Sequence, residues 1–316
     1  MKRITVLTPC FDEEENVRPL VEEIRKVFQG LPQYDYEHVF IDNASQDRTV
    51  PILREIAAAD RRVRVIVNRR NFGHTRSPHH GLLQCRGDAV IAMAADFQDP
   101  PVLIPELLRR WEEGSPVVLA VKEDSEESSV LFSFRMLYYA FLARVSDVEI
   151  VRDATGFGLY DRAFVDVLRQ LDDPYPYSRG LVSELGFEVS KVPFRQPRRR
   201  RGVTKNNFLT LYDAAMTGIT SHSLLPLRLA TIGGFVLSAL SLFVALGYLA
   251  YKLLFWTRFQ AGIAPLVIGL FLAFSLLLFF LGLLGEYVAV IHTRVMRRPL
   301  VVEKERINFD EPPAGP

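Results

Sequence analysis

Along residues 1–228, apolar positions fall into two alternating rhythms. Short, mostly apolar runs at Ile4–Leu7, His38–Ile41, Val63–Val67, Ala89–Met93 and Val117–Val121 predict strands, and the continuous Ala89–Met93 run predicts one buried on both faces. Between them, Val17, Leu20, Val21, Ile24, Val27 and Phe28 recur at helical spacing, which predicts a helix over Glu14–Gln29. Asp12 followed by Glu15 reads as its capping box. Further helices are predicted at Thr49–Ala58, Ser77–Cys85 and Leu103–Glu113, with Gly30–Tyr36 as loop and Asn71-Phe72-Gly73 as a turn. Strand–helix alternation of this kind builds a mostly parallel sheet with right-handed crossovers. Beyond the acidic run Glu123–Glu127, read as a solvated loop, Leu131–Val145 is helical and aromatic. It fits either a core helix or one lying in a bilayer interface. Thr155–Tyr160 reads as a Gly-punctuated strand, Arg162–Leu171 as a helix, Pro174–Tyr177 as a rigid loop and Glu188–Phe194 as a late strand. Asn207–Ser221 is a further helix.

The pattern then changes. Ala230–Tyr251 and Phe259–Gly285 contain no charged residue. Each exceeds the roughly 20 residues that cross ~30 Å of hydrocarbon, so a hairpin of two transmembrane helices is expected, about 229–254 and 262–288. Arg228 precedes the pair and Arg294, Arg297, Arg298, Lys304 and Arg306 follow it, while the connector holds only Lys252 and Arg258. By the positive-inside rule both termini are expected in the cytosol. Glu286 reads as interfacial. The expected domains are 1–205, a cytosolic sheet domain; 206–228, a juxtamembrane helix and linker; 229–291, the hairpin; and 292–316, a cytosolic tail, Pro-rich past Phe309.

Charge and composition narrow the chemistry. The net charge of +1 gives no global field for nucleic acid, and two cysteines, Cys10 and Cys85, exclude a disulfide framework. The apolar start Ile4–Leu7 is too short for a signal peptide. The basic run Arg195–Lys205, which includes Arg199 and Arg201, precedes the membrane segment without interleaved aromatic residues. That favours phosphate or lipid headgroups over nucleic acid. Successive predicted strands end in Asp12, in Asp42-Asn43, and in Asp96 and Gln98, an anionic rim at the edge where open α/β sheets bind ligands. A carboxylate with a neighbouring amide suits Mg²⁺ or Mn²⁺, which leave other positions to substrate phosphates.

Five segments carry a family resemblance. They are Thr8–Asn16, Ile41–Thr49, Arg70-Asn71-Phe72-Gly73, Asp96-Phe97-Gln98-Asp99-Pro100-Pro101, and Arg179-Gly180-Leu181 with Arg201-Gly202-Val203-Thr204-Lys205. In order and spacing the chain resembles the family-two glycosyltransferases of GT-A fold, of the polyprenyl-phosphate type. The resemblance implies inverting transfer of one sugar from a nucleotide-sugar, with UDP-glucose ahead of UDP-N-acetylhexosamine and GDP-mannose, to undecaprenyl phosphate. It further implies a divalent metal, a homo-oligomer, and a multi-pass place in the inner (plasma) membrane. Pro9, Asp12, Glu13, Asp42 and Asn43 would then hold the nucleotide, and Asp96 and Gln98 the metal. Arg179, Arg199, Arg201 and Lys205 would take the lipid phosphate, and Asp96, Asp153, Arg201 and Lys205 form the catalytic set.

The chain departs from the family pattern in three places. Asn43 and Ala94 stand where relatives carry Asp, and Gly156 stands where many carry an acid, with Asp153 two or three residues off register. A processive polysaccharide synthase is disfavoured because the Gln-x-x-Arg-Trp motif is absent. A membrane protein that binds nucleotide-sugar or lipid without catalysis is the alternative from another class.

Overall fold

The computed structural model describes residues 1–122, 154–171, 178–197, 225–255, 263–296 and 298–309. The expected loop 123–127, the aromatic helix 131–145, the loop 174–177, the helix 207–221 and the tail past 309 lie outside them. So do Asp153, Arg199, Arg201 and Lys205, as well as the side chain of Arg179.

In chain order the strands are β1 Lys2–Cys10, β2 Tyr34–Asp42, β3 Val63–Asn68, β4 Ala89–Ala92, β5 Val117–Lys122, β6 Ala154–Asp161, β7 Val189–Phe194 and β8 Glu303–Ile307. The helices are α1 Val17–Gln29, α2 Thr49–Ala59, α3 Gly73–Gln84, α4 Ile104–Glu112, α5 Arg162–Gln170, α6 Ser178–Glu184, α7 Leu225–Leu254 and α8 Ile263–Val295. All the strands join one sheet in the order β7-β5-β6-β4-β1-β2-β3-β8. β4-β1-β2-β3 run parallel, β6 is antiparallel to both β4 and β5, and β8 is antiparallel to β3.

Both faces of the central strands are apolar because helices cover both. Ile4, Val6 and Phe40 face α1, α2 and α4, whose Leu20, Ile24, Leu53, Leu107 and Trp111 complete one core. Leu7, Val39, Ile41 and Ile66 face the other way, toward Leu82 of α3, Phe164 and Leu168 of α5, and Leu181 of α6. Burial on this scale stabilises the sheet by about 1.5–3 kcal/mol for each large apolar side chain.

The strand order reverses between β1 and β4, so their carboxyl ends flank a switch point. β7 is parallel to β5, with Phe194 opposite Lys122, so β7 ends on that same edge. β8 begins there as well, with Glu303 opposite Asn68 at the end of β3. The chain therefore leaves for its long apolar helices, and returns from them, at the edge that carries the strand-end acids.

Several boundaries differ from expectation. β2 begins at Tyr34 rather than His38, because the polar stretch Tyr34–Glu37 pairs with Lys2–Thr5 at the start of β1. α1 begins at Val17, and Asn16 at its N-cap makes no side-chain cap bond. Asp12 is no capping-box residue: its backbone is left-handed, φ 54°, and its carboxylate accepts from the Gln46 N–H at 2.8 Å. α3 begins at Gly73, inside the expected turn. β8 was not expected at all: part of the supposed tail completes the sheet.

Among the described residues one segment is long and apolar enough to cross a membrane. It is Gly269–His292 in α8, 24 residues of mean hydropathy 2.2. The described apolar stretch of α7, Leu229–Val244, falls short of a span.

Candidate active site

Three loops at the carboxyl edge, after β1, β2 and β4, are bound tightly to one another or to themselves. Each contains a non-glycine residue in the left-handed region: Asp12 at φ 54°, Ala44 at φ 67° and Phe97 at φ 63°. Such conformations cost of order 1–3 kcal/mol each and collect at functional sites.

The loops after β1 and β2 are zippered together. Asp12 N–H donates to Ser45 Oγ at 2.8 Å, Glu13 N–H to Thr49 Oγ1 at 2.8 Å, and Glu14 N–H to Asp47 Oδ2 at 3.2 Å. Glu14 returns the bond by accepting from Arg48 N–H at 2.9 Å. Glu13 Oε2 accepts from Asn16 Nδ2 at 2.6 Å. Pro9 sits on β1 opposite Ile41 and is half-buried. Asp42 is fully buried and accepts from the Ser45 N–H at 3.0 Å and from the Ser45 hydroxyl. Burial raises its pKa, and the Ser45 bonds oppose that rise. Beneath this region His38 is pushed down to about 3 by burial and pairs with Thr8, so it remains neutral. It is packing, not a titrating base.

Asn43 is committed within the chain. Its Nδ2 donates to Asn71 Oδ1 at 2.9 Å and to the Gly73 carbonyl at 3.1 Å. Its Oδ1 accepts from Phe72 N–H at 2.9 Å and from Asn68 Nδ2 at 3.2 Å. Both donors and both acceptor positions of the amide are thereby used.

After β4, Ala94 N–H donates to Asp99 Oδ2 at 2.8 Å and Gln98 N–H to Asp96 Oδ1 at 3.1 Å. Asp96 and Asp99 are 4% and 5% exposed, whereas Gln98 is half-buried. Burial raises the Asp99 carboxyl to about 6, and the charge of Asp96 adds to that rise. Two carboxylates held out of water at one loop are a donor set that a divalent cation would neutralise, with substrate phosphates as the remaining ligands. The residues therefore fit Mg²⁺ or Mn²⁺, although no group of three or more acidic, His or Cys ligands occurs among the described residues.

β6 enters this edge from the opposite direction, with Gly158 opposite Ala92. Its register against β5 shifts between Leu119 and Val121, and within that irregular stretch Gly156 has φ +95°. Sequence reading missed the parts played by Ser45, Asn68 and Asn71. Two of them lie in segments already singled out, Ile41–Thr49 and Arg70–Gly73, but no residue type reveals which hydrogen bonds it will make.

A doubly covered sheet with its acids gathered at the switch point is an α/β enzyme scaffold with the site on strand-end loops. The chain belongs to glycosyl transferase family 2, whose profile matches residues 5–169. It is a GT-A-like glycosyltransferase. It is 32% identical over 307 residues to an uncharacterized glycosyltransferase, YkcC, of Bacillus subtilis, covering 97% of this chain and 94% of the relative. It is 31% identical over 304 residues to the SfII prophage-derived bactoprenol glucosyl transferase of Shigella flexneri, covering 96% and 98%. Among solved structures, the mannosyltransferase PcManGT from Pyrobaculum calidifontis in complex with GDP-Man and Mn²⁺ aligns at TM-score 0.48 and 14% identity. That alignment covers 94% of this chain and 87% of the other.

Proposed function

We propose that this glycosyltransferase moves a single sugar from a nucleotide-sugar, UDP-glucose first among candidates, to a polyprenyl phosphate at the cytosolic face of the plasma membrane. The observation that carries this reading is the shared edge: β7, the last strand before the apolar helices, ends there, and β8, the first after them, begins there, where Asp42, Asp96 and Asp99 lie. A sheet edge at which the chain departs before its apolar helices and rejoins after them suits an acceptor whose phosphate sits at the bilayer surface. The relatives named bactoprenol glucosyl transferase support the same class of acceptor.

A two-helix hairpin is the anchor we propose. β3 and β8 share one sheet, so the chain between them must cross the bilayer an even number of times. A single crossing would leave β8 on the far side from β3. This supports α7 as the second span beside Gly269–His292 of α8.

In the reaction an acceptor phosphate oxygen attacks the anomeric carbon, the bond from that carbon to the nucleotide diphosphate oxygen breaks, and the configuration inverts. The acceptor's second pKa is about 6, so it arrives largely as an anion. Orientation and charge neutralisation then matter more than a strong base, which accommodates Gly156. Asp96 and Gln98, with Asp99 behind them, would hold a divalent cation that offsets charge on the leaving diphosphate. Pro9, Asp12, Glu13 and Asp42 would shape the nucleotide end, and Arg179, Arg199, Arg201 and Lys205 would receive the lipid phosphate.

Incubating membranes that contain the protein with labelled UDP-glucose, UDP-N-acetylglucosamine or GDP-mannose tests the reading. An organic-extractable, acid-labile labelled product is expected from one donor. Failure with every donor by a protein that still binds nucleotide would favour a catalytically lapsed binding protein.

A further inference from the structure

We infer that Asn43 is a positioning residue: its amide latches the loop after β3 at the nucleotide end of the site, and it does not itself touch the donor. The inference rests on the nucleotide-sugar reading above and goes beyond it, because the motif position alone would make residue 43 a nucleotide contact.

The geometry leaves Asn43 nothing to offer a ligand. Its two amide hydrogens go to Asn71 Oδ1 and the Gly73 carbonyl, and its oxygen holds Phe72 N–H and Asn68 Nδ2. The residue is 8% exposed. Its partners are themselves cross-braced. Asn71 Oδ1 also accepts from Gly73 N–H at 2.8 Å, and Asn68 Nδ2 donates to Ser77 Oγ at 3.0 Å on α3.

The latch holds a cationic and aromatic loop. The Arg70 guanidinium lies 4.1 Å from the centre of the Phe72 ring, and that of Arg76 lies 5.6 Å from it. Two guanidinium groups beside one loop suit an anionic ligand such as a nucleoside diphosphate. Asn43 anchors this loop to the end of β2, one residue beyond Asp42, so the spacing between loop and donor end depends on the amide.

In this chain the latch depends on an amide at this position. A carboxylate at 43 would face the Asn71 carbonyl oxygen and the Gly73 carbonyl, two acceptors, with no hydrogen to give either. Turning the Asn71 amide around to supply one would break its bond from Gly73 N–H. The two asparagines therefore work as a pair.

The test is nucleotide binding and donor kinetics on the full-length protein in detergent, with UDP and GDP plus Mn²⁺ as probes. The variants are Asn43→Ala, Asn43→Asp, Asn71→Ala and the Asn43→Ala/Asn71→Ala double, each checked by thermal melting. Asn71 is exposed, so its variant tests the latch without opening the core. Each single variant should weaken nucleotide binding and raise the donor KM roughly tenfold, with kcat nearly unchanged, and the double should lose no more than either single. The latch is refuted if Asn43→Ala weakens binding while Asn43→Asp and Asn71→Ala do not, since that pattern means direct contact. Wild-type affinity in all four variants refutes it equally. A wild-type protein that binds neither nucleotide would instead remove the reading on which the latch rests.

Discussion

Nε2 of His80 lies 2.6 Å from Oε1 of Glu303, although 223 residues separate the two. The contact joins α3 to the strand that follows the apolar helices. Arg306 reinforces it, donating to both Glu303 oxygens and to Gln84 Oε1 at 2.7 Å. Arg69 N–H to the Val302 carbonyl, and Asn308 Nδ2 to the carbonyls of Ala57 and Val63, fasten the same segment to the sheet domain.

Burial works against ionisation of Glu303, but the bonds from His80 and Arg306 prevail and hold its carboxyl down at about 2. The folded value lies below the unfolded one, about 4.3. The stabilisation is therefore complete above that range and is lost as pH falls toward about 2. Glu303→Gln should cost about 1–3 kcal/mol at neutral pH. Melting curves of wild type and variant should converge as pH drops from about 5 to about 2; a gap of constant size would show that the charge is not the cause.

Asp96→Ala should reduce sugar transfer by at least about a hundredfold while leaving the melting temperature nearly unchanged. Chelation by EDTA should inactivate the wild type, and Mn²⁺ or Mg²⁺ should restore it. Near-normal turnover of the variant in a radiolabel transfer assay would remove Asp96 from the site.

The two glycines of β6 should behave differently. Gly156 has open space around it but φ +95°, so Gly156→Asp should destabilise by about 1 kcal/mol without raising turnover. A Cβ on Gly158 would stand 2.6 Å from the Val118 carbonyl oxygen, so Gly158→Ala must displace β5 and should cost about 1–3 kcal/mol. Thermal melts and steady-state rates read both. Faster turnover in Gly156→Asp would mean that the missing acid limits the reaction.

Membrane topology is open to labelling, because both native cysteines are buried, Cys10 at 5% and Cys85 at 1% exposure. With an impermeant thiol reagent on sealed vesicles, Arg258→Cys and Lys304→Cys should label from opposite sides. Labelling of both from one side would mean that the helices do not cross.

Most of the sheet could be read from sequence because burial on both faces forces apolar runs such as Val65–Val67 and Ala89–Ala92. The start of β2 could not, since Tyr34–Glu37 carries acids among its aromatic rings and no apolar run. β8 was hidden for a related reason. Glu-Lys-Glu-Arg-Ile carries no apolar rhythm, and an edge strand held by polar contacts to Arg54, His80 and Gln84 needs none. In the site, the residue types of the three loops were legible but their partners were not. Asp12 resembles a cap until its positive φ turns it toward Gln46, and no residue type announces that the Asn43 amide bonds Asn71 and Gly73.

The pairing of β3 with β8 has a consequence for biosynthesis. While the ribosome is still adding the final residues, β3 is an open edge, with backbone groups available to any passing strand. With the hairpin proposed above, the edge closes only after both long helices have been made and the chain has come back to the side where it started. On that reading a mis-threaded helix would leave the edge bare, which ties closure of the sheet to correct insertion of both helices.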